Sequence, residues 1–183
     1  QSYQDLLNPE WKGQMGLDIE SYDWLAGVLD TMGEEKGMDF AKKLAAQSVH
    51  VQRGHSLLMQ LVAAGELKLE IDSYHYQISE FRKKGAPLDL SIPDPMVVKE
   101  PSGIWIPKRA PHPHAAALLV DFLFSREGQQ ILAGLSVLVA RKDIAWDFGG
   151  KQVKGIHVLS AEKWGSKYND LARQFDEIFR KAK

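Results

Sequence analysis

This sequence predicts an α/β fold in which helices cover both faces of a small mixed sheet, and three observations carry that expectation. Windows with apolar residues at helical spacing alternate along the chain with short runs of strand length. Glycines punctuate them: Gly33, Gly65 and Gly85 each follow the last periodic residue of a helical window. The 183 residues, 44% hydrophobic and 26% charged, suffice for one sizeable core.

Taken in order, residues 5–14 read as a connecting turn punctuated by Asn8-Pro9 and Gly13. Met15 to Ile19 is a short apolar run of buried-strand type. Ser21 is placed to cap a helix with Trp24, Leu25, Val28, Leu29 and Met32 on one face, stopped by Gly33. A second helix, about Glu35 to Ala46, buries Met38, Phe40, Ala41 and Leu44. A third starts near Gly54-His55-Ser56 and runs to Ala64. A strand at 67–72 follows, then a helix from about Tyr74 to Lys84. Leu88 to Ile92 alternates as a strand until Pro93-Asp94-Pro95 breaks the pattern.

Gly103 to Lys108 reads as a strand, and Pro107 to Pro113 as a turn into a helix at 113–124. That helix is apolar on nearly every side, so protein must cover most of its surface. Ser125 starts another helix to about Ala133, Val137 to Ala140 is a small strand, and Gly149-Gly150 is a loop. Ser160 and Ser166 look like caps for a terminal helix burying Leu171, Phe175, Ile178 and Phe179.

Composition narrows the function classes. A formal net charge of -1 with dispersed Lys and Arg gives no basic footprint for nucleic acid. The lack of cysteine excludes disulfides, thiolate metal sites and cysteine nucleophiles. No apolar run approaches the roughly 20 residues that span a bilayer. The first residues, Gln1 to Asp5, have neither a charged n-region nor an apolar h-region, so no signal peptide is read there.

Residues Gly65 to Tyr76, GELKLEIDSYHY, are the most informative stretch. A helical segment stops at glycine, and an alternating run then delivers Asp72, Ser73, Tyr74, His75 and Tyr76 together. Ligands of open α/β sheets bind just beyond the carboxyl ends of strands. Two phenols, an imidazole and a carboxylate there form a candidate ligand site; a strand whose following rings merely pack is the alternative.

Six pieces in order carry a resemblance. Tyr3-Gln4-Asp5-Leu6-Leu7-Asn8-Pro9-Glu10-Trp11-Lys12-Gly13 resembles "Y-x-D-L-L-D-P-K-W-K-G", and Leu61 to Glu66 followed by Ile71 to Tyr74 resembles "helix–G-E–strand–N-x-Y-Y". Lys84-Gly85-Ala86-Pro87, Gly103-Ile104, Ala110 to Ala116 and Phe122 to Gln129 are similar to further signatures. These belong to the bacterial extracellular solute-binding proteins of ABC importers, particularly the ferric-iron-binding type. The resemblance implies a three-layer lobe of the type II periplasmic-binding-protein class, with 1–95 as the second ligand-binding lobe. Residues 96–145 would return to the first lobe, and 146–183 would pack back on the second. Family members are usually near twice this length, so most of the first lobe is expected to be missing. It also implies a periplasmic or extracellular location and delivery of solute to ABC permease subunits. No cofactor is expected, ferric iron being a transported ligand.

The ligand contacts expected on this basis are Ser21, Tyr22, Asp23, His55, Ser73, Tyr74, His75 and Tyr76. Ferric-binding relatives place two tyrosinates where this chain has Tyr74 and His75. Phenolate is a hard donor suited to a trivalent cation and imidazole a borderline one, so Tyr74 with His75 is a candidate metal pair, while the change also admits small anionic or polar solutes. Ser21-Tyr22-Asp23 opens a helix whose free N–H groups suit an anion, although Asp23 competes for them and plain capping by Ser21 is the simpler account. His55 can donate to a ligand or sit as an exposed first-turn residue. His112 and His114 flank Pro113 in a turn and read as surface residues, and Trp105, Trp146 and Trp164 as core or lobe-contact residues.

The alternative is a small hydrolase-like or metal-dependent enzyme using Asp23, His55, Asp72 and His75 as acid–base groups. No nucleophile elbow, phosphate-binding glycine loop or two-histidine zinc motif accompanies them. The over-apolar helix generates a prediction. It pairs with a second copy, as a homodimer or swapped assembly through 96–145, or folds locally against its own lobe. Sedimentation with a dye that reports apolar surface checks this; a monodisperse monomer without an apolar patch contradicts pairing with a second copy, and a monomer that binds the dye contradicts both.

Overall fold

The computed structural model describes residues 2–99, 103–145, 149–151 and 153–181. In chain order the elements are β1 (Met15–Asp18), α1 (Tyr22–Met32), α2 (Glu34–Ala45), β2 (His50–Gln52), α3 (His55–Ala63), β3 (Leu69–Ile71), α4 (His75–Lys83) and β4 (Met96–Val98). They continue with α5 (Pro113–Phe124), α6 (Arg126–Gly134), β5 (Ile156–Val158), α7 (Ala161–Gly165) and α8 (Tyr168–Phe179). Two compact units result, one from 1–100 with 152–183 and the other from 101–151.

In the first unit β1 is the middle strand of a parallel sheet ordered β2-β1-β3. All four of its residues are buried, as a central strand covered on both faces requires. Met15 and Leu17 join one core with Leu25 and Val28 of α1, Phe40 and Leu44 of α2, and Leu171 and Phe175 of α8. Gly16 faces the other way: a Cβ there would meet Leu58 of α3 at 2.7 Å and Leu67 at 3.0 Å. Glycine thus lets α3 lie close on the second face, giving three layers. The crossovers from β1 to β2 and from β2 back past β1 to β3 run in opposite directions along the sheet, and connections of one hand, the rule for parallel strands, then carry α1–α2 and α3 to opposite faces.

The fold class is α/β, as the sequence implies. The described strand pairs are all parallel, including β4 with β5, where a mixed sheet was the expectation. Several local expectations need correction. Residues 5–14 are not a simple turn but hold two short 3-10 helices, Tyr3–Leu7 and Pro9–Trp11. No strand forms at 88–92, 103–108 or 137–140, because alternation makes a strand only where a partner accepts its backbone hydrogen bonds. The strands β2, β4 and β5 form instead, each three residues long and defined by its partner. The strand expected at 67–72 shortens to 69–71. Ser21 makes no capping bond to α1, and Lys167 rather than Ser166 precedes α8, whereas Ser160 and Ser125 do cap α7 and α6.

The C-terminal segment is fastened to α1. Val97 of β4 packs where a side chain at Gly27 would overlap it. Phe175 stands edge-on to Tyr22 at 5.3 Å and Phe179 to Trp24 at 6.1 Å. Asp30, nearly buried, takes His157 Nε2 at 3.1 Å on one oxygen and Lys163 Nζ on the other.

In the second unit α5 and α6 form a helical hairpin in which Ser125 Oγ accepts from the Gly128 amide at 3.1 Å. The buried Gln129 donates to the Leu123 carbonyl at 2.7 Å and accepts from the Ala140 amide at 2.6 Å. No residue of α5 is buried; Leu118 is 70% exposed, as is Trp105 at 87% in the segment before it. Trp105 is therefore not a core residue here. Trp164 is buried, His112 and His114 are exposed, and Trp146 lies outside the described residues. No helix is long and apolar enough to cross a membrane among the described residues.

Asp30 generates a stability prediction. Burial pushes its carboxyl up, but the hydrogen bonds from Lys163 and His157 outweigh that and hold its pKa below the ordinary carboxylate value. Its contribution is therefore full above that ordinary value and fades as pH falls through the lowered folded one. Asp30→Asn should cost about 1–3 kcal/mol at neutral pH, and urea unfolding should show the difference closing in acid.

Candidate functional site

The carboxyl ends of β2, β1 and β3 point the same way, and α1, α3 and α4 all begin there. Pairing of Leu17 with Ile71 sets Asp18, the last residue of β1, and Asp72, the residue after β3, at the ends of neighbouring strands. In the order β2-β1-β3 the topological switch falls between β1 and β3, where open α/β sheets form their ligand crevice.

Asp18 organises this edge. Its buried carboxylate accepts from the Gly54 amide at 2.6 Å and from the Glu20 amide at 2.8 Å. Gly54 has φ of 98°, a left-handed conformation that glycine adopts at no steric cost, and it sets the start of α3 against β1.

Glu70, whose side chain is 2% exposed, holds His55 Nδ1 at 2.9 Å and accepts from Ser73 Oγ at 3.1 Å. Burial pulls the His55 pKa down, but the Glu70 hydrogen bond and the charges of Asp72, Glu70 and Asp18 outweigh it, so the imidazole is held above its ordinary value. The Tyr74 ring stands edge-on to His55 at 4.5 Å, and Tyr76 stacks on Tyr74 at 5.6 Å with planes 24° apart. Both phenol side chains keep open surface, 37% for Tyr74 and 43% for Tyr76. Burial raises the Tyr74 phenol, with Lys99 opposing and Asp72, Tyr76 and Asp18 adding to the rise.

Asp72 has φ of 61°, a left-handed conformation that aspartate visits more readily than most residues. Desolvation pushes its carboxyl up to about 6; Ser21, His55 and Lys99 pull it back and Asp23 pushes with it. The Ser21 hydroxyl beside it is buried and has no hydrogen bond of normal geometry. Lys99 is paired with Asp23 at 2.6 Å, which holds its ammonium above the ordinary value against the opposing effect of burial.

Of the residues expected to touch a ligand, Ser21, His55, Ser73, Tyr74 and Tyr76 stand together here, with Asp23 beside them through Lys99. His75 opens α4 and is half-buried. The ring of Tyr22 is committed elsewhere, edge-on to Phe175 and to Tyr168 at 5.7 Å in the α1–α8 contact. Sequence reasoning missed Asp18, Glu70 and Lys99. Asp18 carried a signal, as the acidic residue ending the first buried strand; Lys99 carried none, because β4 was not foreseen.

Residues 1–143 match the model of the bacterial extracellular solute-binding protein family. An uncharacterized protein of Haemophilus influenzae is 30% identical over 134 residues, 70% of this chain and 38% of its own length. Iron uptake protein A1 of Synechocystis is 24% identical over 148 residues, 72% of this chain and 41% of its own. The chain thus spans about two fifths of the curated relatives it matches. Among solved structures, the substrate binding protein of an ABC transporter from Agrobacterium tumefaciens superposes with a TM-score of 0.74 at 14% identity. That match covers 98% of this chain and 60% of that one.

The His55–Glu70 pair can be tested directly. Removing the Glu70 charge takes away part of what opposes burial, leaving Asp72 and Asp18, so the His55 pKa in Glu70→Gln should fall relative to the wild type when followed by NMR titration. An unchanged value contradicts the pairing.

Proposed function

The chain belongs to the bacterial extracellular solute-binding protein family, and on that footing we propose that it supplies one lobe of a receptor that captures a small solute for uptake. The solute is taken at the carboxyl edge of β2-β1-β3, and the loaded receptor delivers it to ABC permease subunits from the periplasm or cell surface. What supports the reading most is the convergence at that edge of open groups on a rigid base. Asp72, the unpartnered Ser21 hydroxyl and the exposed Tyr74 and Tyr76 rings stand over a frame that Asp18 and Glu70 hold in place. Such a lobe is half of a clamshell, and hinge closure against the other half completes the contacts.

Ferric iron is one candidate cargo, suggested by the name of the Synechocystis relative. Tyr74 and Tyr76 offer phenol oxygens, and the Tyr74 and His75 pair remains the candidate metal contact from this lobe. Among the described residues no group of three or more His, Asp or Glu side chains is arranged to hold a metal ion. Iron would therefore rest on the Tyr74 and His75 pair together with donors from beyond this chain. The enzyme alternative has less behind it: the family is one of binding proteins, and His55 is already tied to Glu70 rather than poised beside a nucleophile.

In the full-length receptor, loss of one phenol hydroxyl should weaken capture. Tyr74→Phe is expected to lower affinity for the co-purifying solute about 3- to 10-fold, the range of one hydrogen bond. Native mass spectrometry identifies the solute and calorimetry measures the change; equal affinity in wild type and variant contradicts the assignment.

A further inference from the structure

Resting on the receptor reading, we propose that the solute of this edge is an organic cation, a primary or quaternary ammonium. Its charge meets the Asp72 carboxylate and its carbon skeleton lies on the Tyr74–Tyr76 ring stack.

An anion would ordinarily be drawn to helix N-termini such as those of α1 and α3. Here the protein's own carboxylates already stand there. Asp18 accepts from the Gly54 amide at the start of α3 and from the Glu20 amide ahead of α1, and Asp23 sits in the first turn of α1. An incoming anion would have to displace or tolerate them. The charge balance points the same way. Asp18, Asp23, Glu70 and Asp72 face two cations, and each cation is committed, His55 to Glu70 and Lys99 to Asp23. Asp18 is satisfied by amides, which leaves Asp72, with the Ser21 hydroxyl beside it, as the carboxylate among these four for which neither an ion pair nor an amide bond is formed.

Two further observations describe what Asp72 can hold. The Ser21 hydroxyl beside it is 3% exposed and unpartnered, so its oxygen is available to accept an ammonium N–H. Stacked, partly exposed phenol rings give a cation an electron-rich face and an alkyl chain an apolar one. A bare metal ion would use neither face.

The test is calorimetry on this chain with choline, putrescine, inorganic phosphate and ferric citrate. Choline or putrescine should bind. Asp72→Asn should weaken that binding about tenfold or more, the loss expected of a charged hydrogen-bonding partner. Tyr76 is exposed and outside the buried core, so Tyr76→Ala should weaken that binding several-fold through the lost ring face while the fold, followed by circular dichroism, stays; Tyr76→Phe keeps the ring and should keep most of the affinity. Cation binding indifferent to both Asp72→Asn and Tyr76→Ala overturns the proposal. Binding of phosphate or ferric citrate alone, lost in Tyr74→Phe, overturns the cation class but leaves the receptor reading standing. Binding of none of the four overturns the proposal and counts against the receptor reading as well.

Discussion

At the end of β1 a single carboxylate accepts from two backbone amides that belong to different crossovers. Asp18 takes the Gly54 amide at 2.6 Å and the Glu20 amide at 2.8 Å, so the turns into α1 and α3 are drawn onto the same point of the sheet. A buried carboxylate without such partners would be costly, and two amides facing an apolar gap equally so. Together they satisfy each other and fix where α1 and α3 begin. The same edge then receives Asp72 from the adjacent strand and the aromatic residues that follow it.

The rest of the first unit serves this edge by making the sheet rigid. A four-residue strand is a weak support alone. It becomes a firm one because Met15 and Leu17 enter the core with α1, α2 and α8 while Gly16 brings α3 onto the opposite face. The C-terminal segment closes this core from a distance in sequence, through Asp30 with His157 and Lys163 and through Phe175 against Tyr22. Tyr22 thus supports the site by holding α1, whereas Tyr74 and Tyr76 remain open above it. Buried and exposed aromatic residues divide by the company their rings keep.

How much of this was legible follows from what each signal depends on. The helices α1 to α6 and α8 were readable because apolar spacing and glycine stops are local properties. The four buried residues of α8, Leu171, Phe175, Ile178 and Phe179, were anticipated by spacing alone. Short strands were not, since His50-Val51-Gln52 has no strand pattern and pairs only because Gly16 to Asp18 lies alongside. Leu88 to Ile92 had the pattern and lacked the partner. The cluster at 72–76 was visible as chemistry concentrated after a strand. Its supporting residues were harder: Glu70 looked like the polar half of an alternating strand, and Lys99 reaches Asp23 from just past β4, a strand that periodicity could not detect.

The central claim is that a solute enters at the carboxyl ends of β2, β1 and β3. Amide chemical-shift mapping of this chain, titrated with the small molecule that co-purifies with the full-length protein from its own host, tests it most directly. Changes concentrated at Ser21, Gly54, His55 and 72–76 are the predicted result. Changes confined to 103–145, with those amides unmoved, would contradict it.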